Sequence, residues 1–509
     1  MHPRDQLAAN PDRPALIMAG SGEVITFAEL DRRANRCAQL FRKLGLKPGD
    51  RVAFWLENNA RFFEICWGAH NAGLLYVPIS SRLTVGEAAY IARDCDARLV
   101  IASAALQAEA LAAELGPEIA VLVTGAPGGF DEAVAGMPDT PIADEVRGAA
   151  MVYSSGTTGR PKGISPDLEP VRIDVPPAVT ATVVRLYGFD NETVYLSTAP
   201  LYHTAPLKFT MSVQSVGGTV VVLEKFDAAA ALAAIEKYRV THSQWVPTMF
   251  VRMLHLRESM QGHDLSSHRV AIHSAAPCPV AVKEQMIDWW GPIVYEYYGG
   301  SESVGMCAIE PLEWLRKKGS VGRPSRGKIH ILGEDGEELG VGQVGNVYFE
   351  GGSAFVYHKD EAKTARAKTH AGWGTFGDIG YVDADGYLFL TDRRDYVINV
   401  GGVNIYPQEA ENLLSMHPKV LDVAVFGVPH AEYGEEVKAV VSVRAPHVAG
   451  PELAEELIAY CRAHLAANKC PRSVDFESDM PREPTGKLLK RLLRARYWPH
   501  ETKQKQKAG

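Results

Sequence analysis

Amphipathic helical patterns alternate with short apolar strand patterns from Thr26 to Val246, and this alternation limits the fold more than any other feature. Thr26–Leu46 (TFAELDRRANRCAQLFRKLGL) opens on a threonine suited to an N-cap, with Glu29 three residues later as a capping-box partner. Leu30, Ala34, Cys37, Leu40 and Phe41 follow a helical period, Gly45 ends the helix, and Arg51–Leu56 reads as a strand. Glu87–Asp94 then Leu99–Ala104, and Ala228–Tyr238 then Thr241–Val246, repeat the theme. Such alternation predicts α/β layers with largely parallel sheet. No fixed-period repeat of the solenoid kind is present.

Two changes of texture interrupt the alternation. Near residue 320 the chain turns to short strands and tight glycine turns (GKIHILGEDGEELGVGQVGNVYFEGG), predicting a β-rich subdomain. Gly340–Gly345 in that stretch satisfies G-x-G-x-x-G, but a dinucleotide loop must follow a strand and open a helix. This one runs into Asn346–Glu350, a strand pattern, so it is read as turns. After Arg394 a compact α+β stretch follows: helix Pro407–Met416, strands Val420–Val428 and Glu436–Val443, helix Pro451–Ala467. The boundary is expected around Asp392–Tyr396.

Bulk properties remove several function classes. A net charge of −8 gives no basic field for nucleic acid. The lysines at 503, 505 and 507 read as a solvated tail. Seven cysteines, with no C-x-x-C pair, argue against a disulfide framework or a zinc ribbon. The N-terminus lacks a secretory pattern, and no apolar run approaches the roughly 18 residues needed to span a bilayer. A cytosolic protein without an integral membrane segment is expected.

Met151–Ile164 (MVYSSGTTGRPKGI) carries the clearest chemistry. A short apolar strand leads into hydroxyls at Ser154, Ser155, Thr157 and Thr158, with Gly156, Gly159 and Gly163 allowing close backbone approach to a polyanion. Lys162 adds positive charge. The string is not the common nucleotide-kinase loop, because Gly163 rather than Ser or Thr follows the lysine. A Gly/Ser/Thr-rich surface loop is the competing reading of these residues alone.

Ser154–Gly163 resembles the signature loop of the adenylate-forming superfamily: acyl- and aryl-CoA synthetases, peptide-synthetase adenylation domains and firefly luciferase. Four further segments stand in the family's order, and the resemblance runs from about residue 20 to residue 492. Leu201-Tyr202-His203 resembles the aromatic–His pair beside the reacting carboxylate, which His203 would position. Tyr298-Gly299-Gly300-Ser301-Glu302 resembles Tyr-Gly-x-Thr-Glu, with Tyr298 on adenine, Ser301 as donor and Glu302 (with Thr157) toward magnesium. Ser303 breaks the rival G-x-S-x-G hydrolase pattern. Ala275, Ala276 and Pro277 resemble the strand end that flanks adenine, though Ser274 stands where the family has Gly. Asp378 matches the ribose carboxylate and Arg393 the ribose/phosphate arginine. Asp395 matches the hinge, with Asp392 and Tyr396 departing from the family pattern. Gly401-Gly402 resembles the loop lining the pantetheine tunnel, and Lys487, in Pro481–Leu488, the adenylation lysine.

The resemblance implies a large N-terminal domain of layered α/β sheets with a β-rich subdomain (1–392), a hinge (393–396) and a small mobile α+β C-terminal domain (397–509). It implies an ATP-, Mg²⁺- and coenzyme A-dependent ligase. A carboxylate attacks the α-phosphate of ATP, pyrophosphate leaves, and the CoA thiolate attacks the resulting acyl-adenylate. Lys487, Glu302 and the loop donors would stabilise the charge that develops, and rotation about Asp395 would exchange Lys487 for Gly401-Gly402. The acyl pocket is expected between His203 and Glu302, lined by Trp245, Val246, Met249 and Ala275, with Lys208 the one charge nearby. Fatty or related apolar acids lead on family frequency, ahead of hydroxycinnamate, aryl or bulky ring acids. A free-standing carrier-protein loader is the second alternative and a non-catalytic nucleotide-binding protein the remote one. Residues 165–186, rich in Pro and Val, have no assigned role, and the oligomeric state, homodimer included, is not legible.

Overall fold

The computed structural model describes residues 1–154, 161–258, 262–482 and 488–498. Among these residues the strands form five sheets. The largest has nine strands, of which six run parallel side by side: Val294–Gly299, Val270–His273, His242–Trp245, Val194–Ser197, Thr219–Val222 and Pro14–Met18. A second, wholly parallel sheet orders Ala120–Thr124, Ala97–Ser103, Arg51–Trp55, Leu75–Ile79 and Ala149–Ala150. The expected α/β class is thus present. Most of these strands are buried along their length, as expected where helices cover both faces.

The helix Phe27–Lys43 shows how sequence becomes layer. Thr26 caps it, its hydroxyl accepting the Glu29 N–H at 3.2 Å. The expected reciprocal half of a capping box is absent, because the Glu29 carboxylate is taken by Arg32 and Arg33. A full capping box forms instead at Thr84 and Glu87, before helix Val85–Asp94. Phe27 and Phe41 on the buried face join Phe54, Phe62, Phe63 and Tyr195 in one core between the two parallel sheets. Each such ring contributes about 1.5–3 kcal/mol relative to exposure.

The β-rich subdomain is a four-stranded antiparallel sheet: Lys328–Leu332, Gly345–Glu350, Asp378–Val382 and Leu388–Arg393. The G-x-G-x-x-G stretch is a turn, with Gly342 at φ +77°, that enters strand Gly345–Glu350. Beyond Arg393 a short 3₁₀ turn, Arg394–Tyr396, delivers the chain to a separate sheet built from Ile398–Val400, Val403–Ile405, Gly434–Val443, Val420–His430 and Ser473–Phe476. Helices Pro407–Leu414 and Pro451–His464 cover it. Asp392 accepts the Gln408 N–H at 3.0 Å, so the last strand before the turn is tied to the first helix after it. No helix among the described residues is long and apolar enough to cross a membrane, and all seven cysteines are free.

One ion pair lies deep beneath the large sheet's edge. Lys283, 0% exposed, stands 2.7 Å from Glu296 and 4.6 Å from the Trp314 ring centroid. His273 lies 3.4 Å from the same Glu296 oxygen. Burial alone would raise the Glu296 carboxyl, but the Lys283 ammonium and His273 hold it below the usual carboxylate range. The pair locks helix Val280–Trp290 to strand Val294–Gly299. Glu296→Ala leaves Lys283 buried and unpaired, and should cost about 3–5 kcal/mol, read as a lower urea midpoint for the transition of this part of the chain.

Candidate active site

The candidate residues gather where strands of the large sheet end at their carboxyl termini, the usual ligand edge of parallel sheets. Strand Val270–His273 delivers Ser274, Ala275, Ala276 and Pro277. Ala275 is at φ +77°, a left-handed conformation that costs an L-residue roughly 1–2 kcal/mol. The neighbouring strand Val294–Gly299 carries Tyr298 and Gly299, then turns sharply. The Ser303 N–H closes that turn on the Gly300 carbonyl at 3.1 Å, and Ser303 is itself left-handed at φ +55°. Two strained non-glycine residues on adjacent strand ends mark a site whose backbone is held by its surroundings.

Tyr298 donates to Asp378 Oδ2 at 2.6 Å, and Arg393 Nε stands 3.1 Å from Asp378 Oδ1. Asp378 and Arg393 face each other directly, since the first opens strand Asp378–Val382 and the second closes Leu388–Arg393. Burial and then the Asp378 carboxylate push the Tyr298 phenol far above its ordinary value, so it remains a donor. Its ring meets Phe376 edge-on, centroids 5.5 Å apart. Asp378 is 7% exposed.

Ser301 and Glu302 lie in the turn. Ser301 Oγ is 2.7 Å from Thr204 Oγ1, and Glu302 Oε1 accepts the Tyr357 hydroxyl at 2.7 Å. Thr204 begins helix Thr204–Ser215; His203 immediately precedes it, its ring 4.4 Å from that of Tyr202. Lys162 opens strand Lys162–Pro166, directly opposite Ser154 in strand Val152–Ser154, and its Nζ is 3.2 Å from Asp360. Ser154 and Lys162 thus stand on paired antiparallel strands, while Ser155, Gly156, Thr157, Thr158 and Gly159 lie outside the described residues, as does Lys487. The side chains of Ser154 and Asp395 are likewise not described. Gly401 and Gly402, at φ +59° and +87°, form the two-residue turn between Ile398–Val400 and Val403–Ile405. Their N–H groups bond Tyr433 and Asn399 of their own domain, not the Tyr298–Asp378 cluster.

A cavity of about 170 Å³ opens beside the Ser301–Ser303 turn. Trp67, Tyr76, Val152, Leu207, Met211 and Phe355 make its wall predominantly apolar. Lys208, Arg326 and Glu302 reach it too. Burial, and then Arg326, push the Lys208 amine down to about 8, against the opposing pull of Glu302.

Trp245, Val246 and Met249, expected as acyl-pocket lining, are not in the wall of this cavity. Trp245 is 1% exposed and spends its indole N–H on Ser243 Oγ at 2.6 Å, inside a core with Phe250 and Met286. Met249 packs in the same core.

Sequence reasoning also left residues 165–186 without a place. Ile173 and Val175–Thr180 close the cavity on one side. The segment is held there by the Arg147 N–H to the Val171 carbonyl at 2.9 Å, Arg147 Nη1 to the Val175 carbonyl at 2.8 Å, and the His70 ring to the Ile173 carbonyl at 3.1 Å. Arg326, Tyr357, Asp360 and Thr204 carried no sequence signal, because each enters through a neighbour in space.

Two family models cover the chain: "AMP-binding enzyme" over residues 3–356 and "AMP-binding enzyme C-terminal domain" over residues 409–487. The chain belongs to the AMP-binding enzyme family, the AMP-forming acid–CoA ligases. It is 33% identical over 480 residues, 94% of each chain, to a feruloyl-CoA synthase of Amycolatopsis sp. It is 30% identical over 512 residues, 97% of each chain, to a long-chain-fatty-acid–CoA ligase of Mycobacterium tuberculosis. The solved structure of ATP-bound MatB from Rhodopseudomonas palustris is similar at a TM-score of 0.83 and 28% identity, over 98% of this chain and 99% of that one.

A Cβ placed on Gly300 would stand 2.5 Å from the Phe376 ring and 2.8 Å from Glu302 Oε2. Gly300→Ala must therefore displace the ring that flanks Tyr298. We expect it to lower the rate of adenylate formation by about tenfold or more, the scale of a 1–3 kcal/mol overpacking penalty, with the circular dichroism spectrum unchanged.

Proposed function

We propose that this chain activates a compact, predominantly apolar carboxylic acid of aryl or ring type as its adenylate and transfers the acyl group to coenzyme A. The observation that carries the reading is the cavity beside the Ser301–Ser303 turn. Its volume, about 170 Å³, is close to the roughly 150 Å³ of an engineered apolar cavity that takes up benzene. A ring-sized body fits that space, whereas an extended long chain would need the wall to open. The feruloyl-CoA synthase relative supports an aryl acid. The fatty-acid relative supports the second reading, an unbranched fatty acid.

In this reading the carboxylate oxygen attacks the α-phosphorus of ATP and the bond to pyrophosphate breaks. The CoA thiolate then adds to the acyl carbonyl and AMP leaves with the bonding electrons. Tyr298 and the Ala275–Pro277 edge would flank adenine. Asp378 would accept from ribose hydroxyls, each carboxylate oxygen having a lone pair beyond those used by Tyr298 and Arg393. His203 and Ser301 would orient the carboxylate, and Lys162 with the Ser154–Gly163 loop would hold phosphate. Lys487 would neutralise the charge that develops on the α-phosphate oxygens. The C-terminal unit (397–509) would turn about Asp395 between the two steps and bring Gly401-Gly402 to the thiol.

Among the described residues no three His, Cys, Asp or Glu side chains group as a metal cage. Glu302 keeps Oε2 clear of hydrogen bonds among those residues while Tyr357 fixes Oε1. One carboxylate beside a polyphosphate is how Mg²⁺ is commonly held, so the site fits that ion. When bound, it would supply charge neutralisation on the phosphates.

The test is pyrophosphate release from Mg²⁺-ATP with hydroxycinnamates, benzoates, cycloalkane carboxylates, dodecanoate and hexadecanoate, with and without CoA. Ring acids should exceed hexadecanoate in kcat/KM by about tenfold or more, the worth of a 1.4 kcal/mol difference in fit. CoA should raise turnover. Preference for hexadecanoate would replace the compact-acid reading with the fatty-acid one, and indifference to CoA would favour a carrier-protein loader. Lys487→Ala should lose about 10²-fold or more in adenylate formation while retaining the fold.

A further inference from the structure

Two cations share the cavity, and neither has a carboxylate partner among the described residues. Lys208, in the second turn of helix Thr204–Ser215, reaches Ser303 Oγ at 3.5 Å. Arg326 ends strand Arg323–Arg326 and donates to Ser353 Oγ. Elsewhere the chain pairs its site cations closely: Lys162 with Asp360, Arg393 with Asp378. The third charged side chain in this wall is Glu302, and one of its oxygens is already held by Tyr357. His70, also in the wall, is kept neutral near neutral pH, because burial pushes its imidazole down to about 4. Two cations facing one carboxylate leave this end of the cavity with one positive charge in excess. Like charges gathered where water is scarce are unfavourable unless an anion joins them. The apolar wall of Trp67, Tyr76, Val152 and Met211 offers none.

We propose that Lys208 and Arg326 hold a carboxylate of the acid substrate, with its apolar body laid against Trp67, Tyr76 and Met211. The proposal rests on the reading of this cavity as the acyl pocket of an acid–CoA ligase. The position fits: Lys208 meets Ser303, one residue from Glu302, so the held group lies at the end of the cavity nearest the adenylation residues. An ammonium and a guanidinium together can occupy both oxygens of one carboxylate, which fixes its orientation as well as its place. The same chemistry serves the reacting carboxylate or a second carboxylate close to it on the same molecule.

The experiment uses the full chain and the best acid from the panel above, with Lys208→Met, Arg326→Met, the double variant and Lys208→Arg. KM for the acid and for ATP is measured by pyrophosphate release. Inhibition constants are measured for the acid's primary amide, its neutral near-isostere. Each Met variant should raise the acid's KM about tenfold or more, the scale of a lost charge-assisted hydrogen bond. The KM of ATP and the inhibition constant of the amide should hold within about twofold, and Lys208→Arg should recover most of the loss. A matched monoacid and diacid series separates the two sources. Equal losses for both place the reacting carboxylate on the pair, and losses confined to the diacid place the second one there. An acid KM unmoved in the double variant, or amide and acid weakened alike, would overturn the proposal while leaving the ligase reading intact. If the unsubstituted chain forms no adenylate from any acid, the ligase reading itself fails and this proposal falls with it. Should the Met variants not fold, Lys208→Gln and Arg326→Gln, which keep polar stems, carry the same comparison.

Discussion

The Asp378 carboxylate joins parts of the molecule that would otherwise be held only by packing. One oxygen takes the Tyr298 hydroxyl at 2.6 Å, from the end of the large parallel sheet, and the other faces the Arg393 guanidinium at 3.1 Å, one residue before the turn into the C-terminal unit. With Asp378 only 7% exposed, charge-assisted hydrogen bonds of this kind are stronger than surface pairs, because water competes poorly for the carboxylate. The end of the large sheet, the β-rich subdomain and the start of the turn therefore share one anchor. Behind Tyr298 the Lys283–Glu296 pair fixes the same strand from within the core, so the turn at Gly300–Ser303 leaves a rigid support. That support is what allows Ala275 and Ser303 to remain in left-handed conformations at the site.

Charge is distributed unevenly around this anchor. Around Asp378 and the Lys162 strand, cations meet carboxylates: Arg393 with Asp378 and Lys162 with Asp360. On the cavity side, Lys208 and Arg326 meet serine hydroxyls instead. The difference is one of completeness, since the first set is paired with carboxylates and the second, among the described residues, is not. The proposed substrate, an anionic head on an apolar body, would match an apolar wall around an unbalanced cation pair.

Much was legible from the residues alone. The helix at Ala228–Tyr238 falls where its periodicity places it, and the strand and helix patterns after Arg394 form a sheet of their own. Short-range rules suffice there, because period, caps and glycine turns act within a few residues. The capping box at Thr26 shows their limit: Glu29 had two arginines within reach on its own helix, and charge pairing won over the backbone N–H. The order Tyr298, Asp378, Arg393 was visible as motifs, but their mutual bonding depends on register between strands far apart in sequence.

The sequence by itself determined the layered α/β class, the change of texture at Asp392–Tyr396 and the motifs that carry Tyr298, Asp378 and Arg393, because hydrophobic period and motif order are properties of neighbours along the chain. Only the tertiary structure decided which side chains face the cavity. Trp245, expected beside the acyl group, lies outside that wall in a core with Phe250, its indole N–H on Ser243 two residues away. Arg326, which carried no sequence signal, is part of the cavity wall, since strand Arg323–Arg326 runs along the edge of the large sheet toward the Ser301–Ser303 turn. Residues 165–186 gave no pattern because their place is set by Arg147 and His70 from other elements, through bonds to backbone carbonyls that any sequence could offer. Facing is a relation between elements, and no local rule contains it.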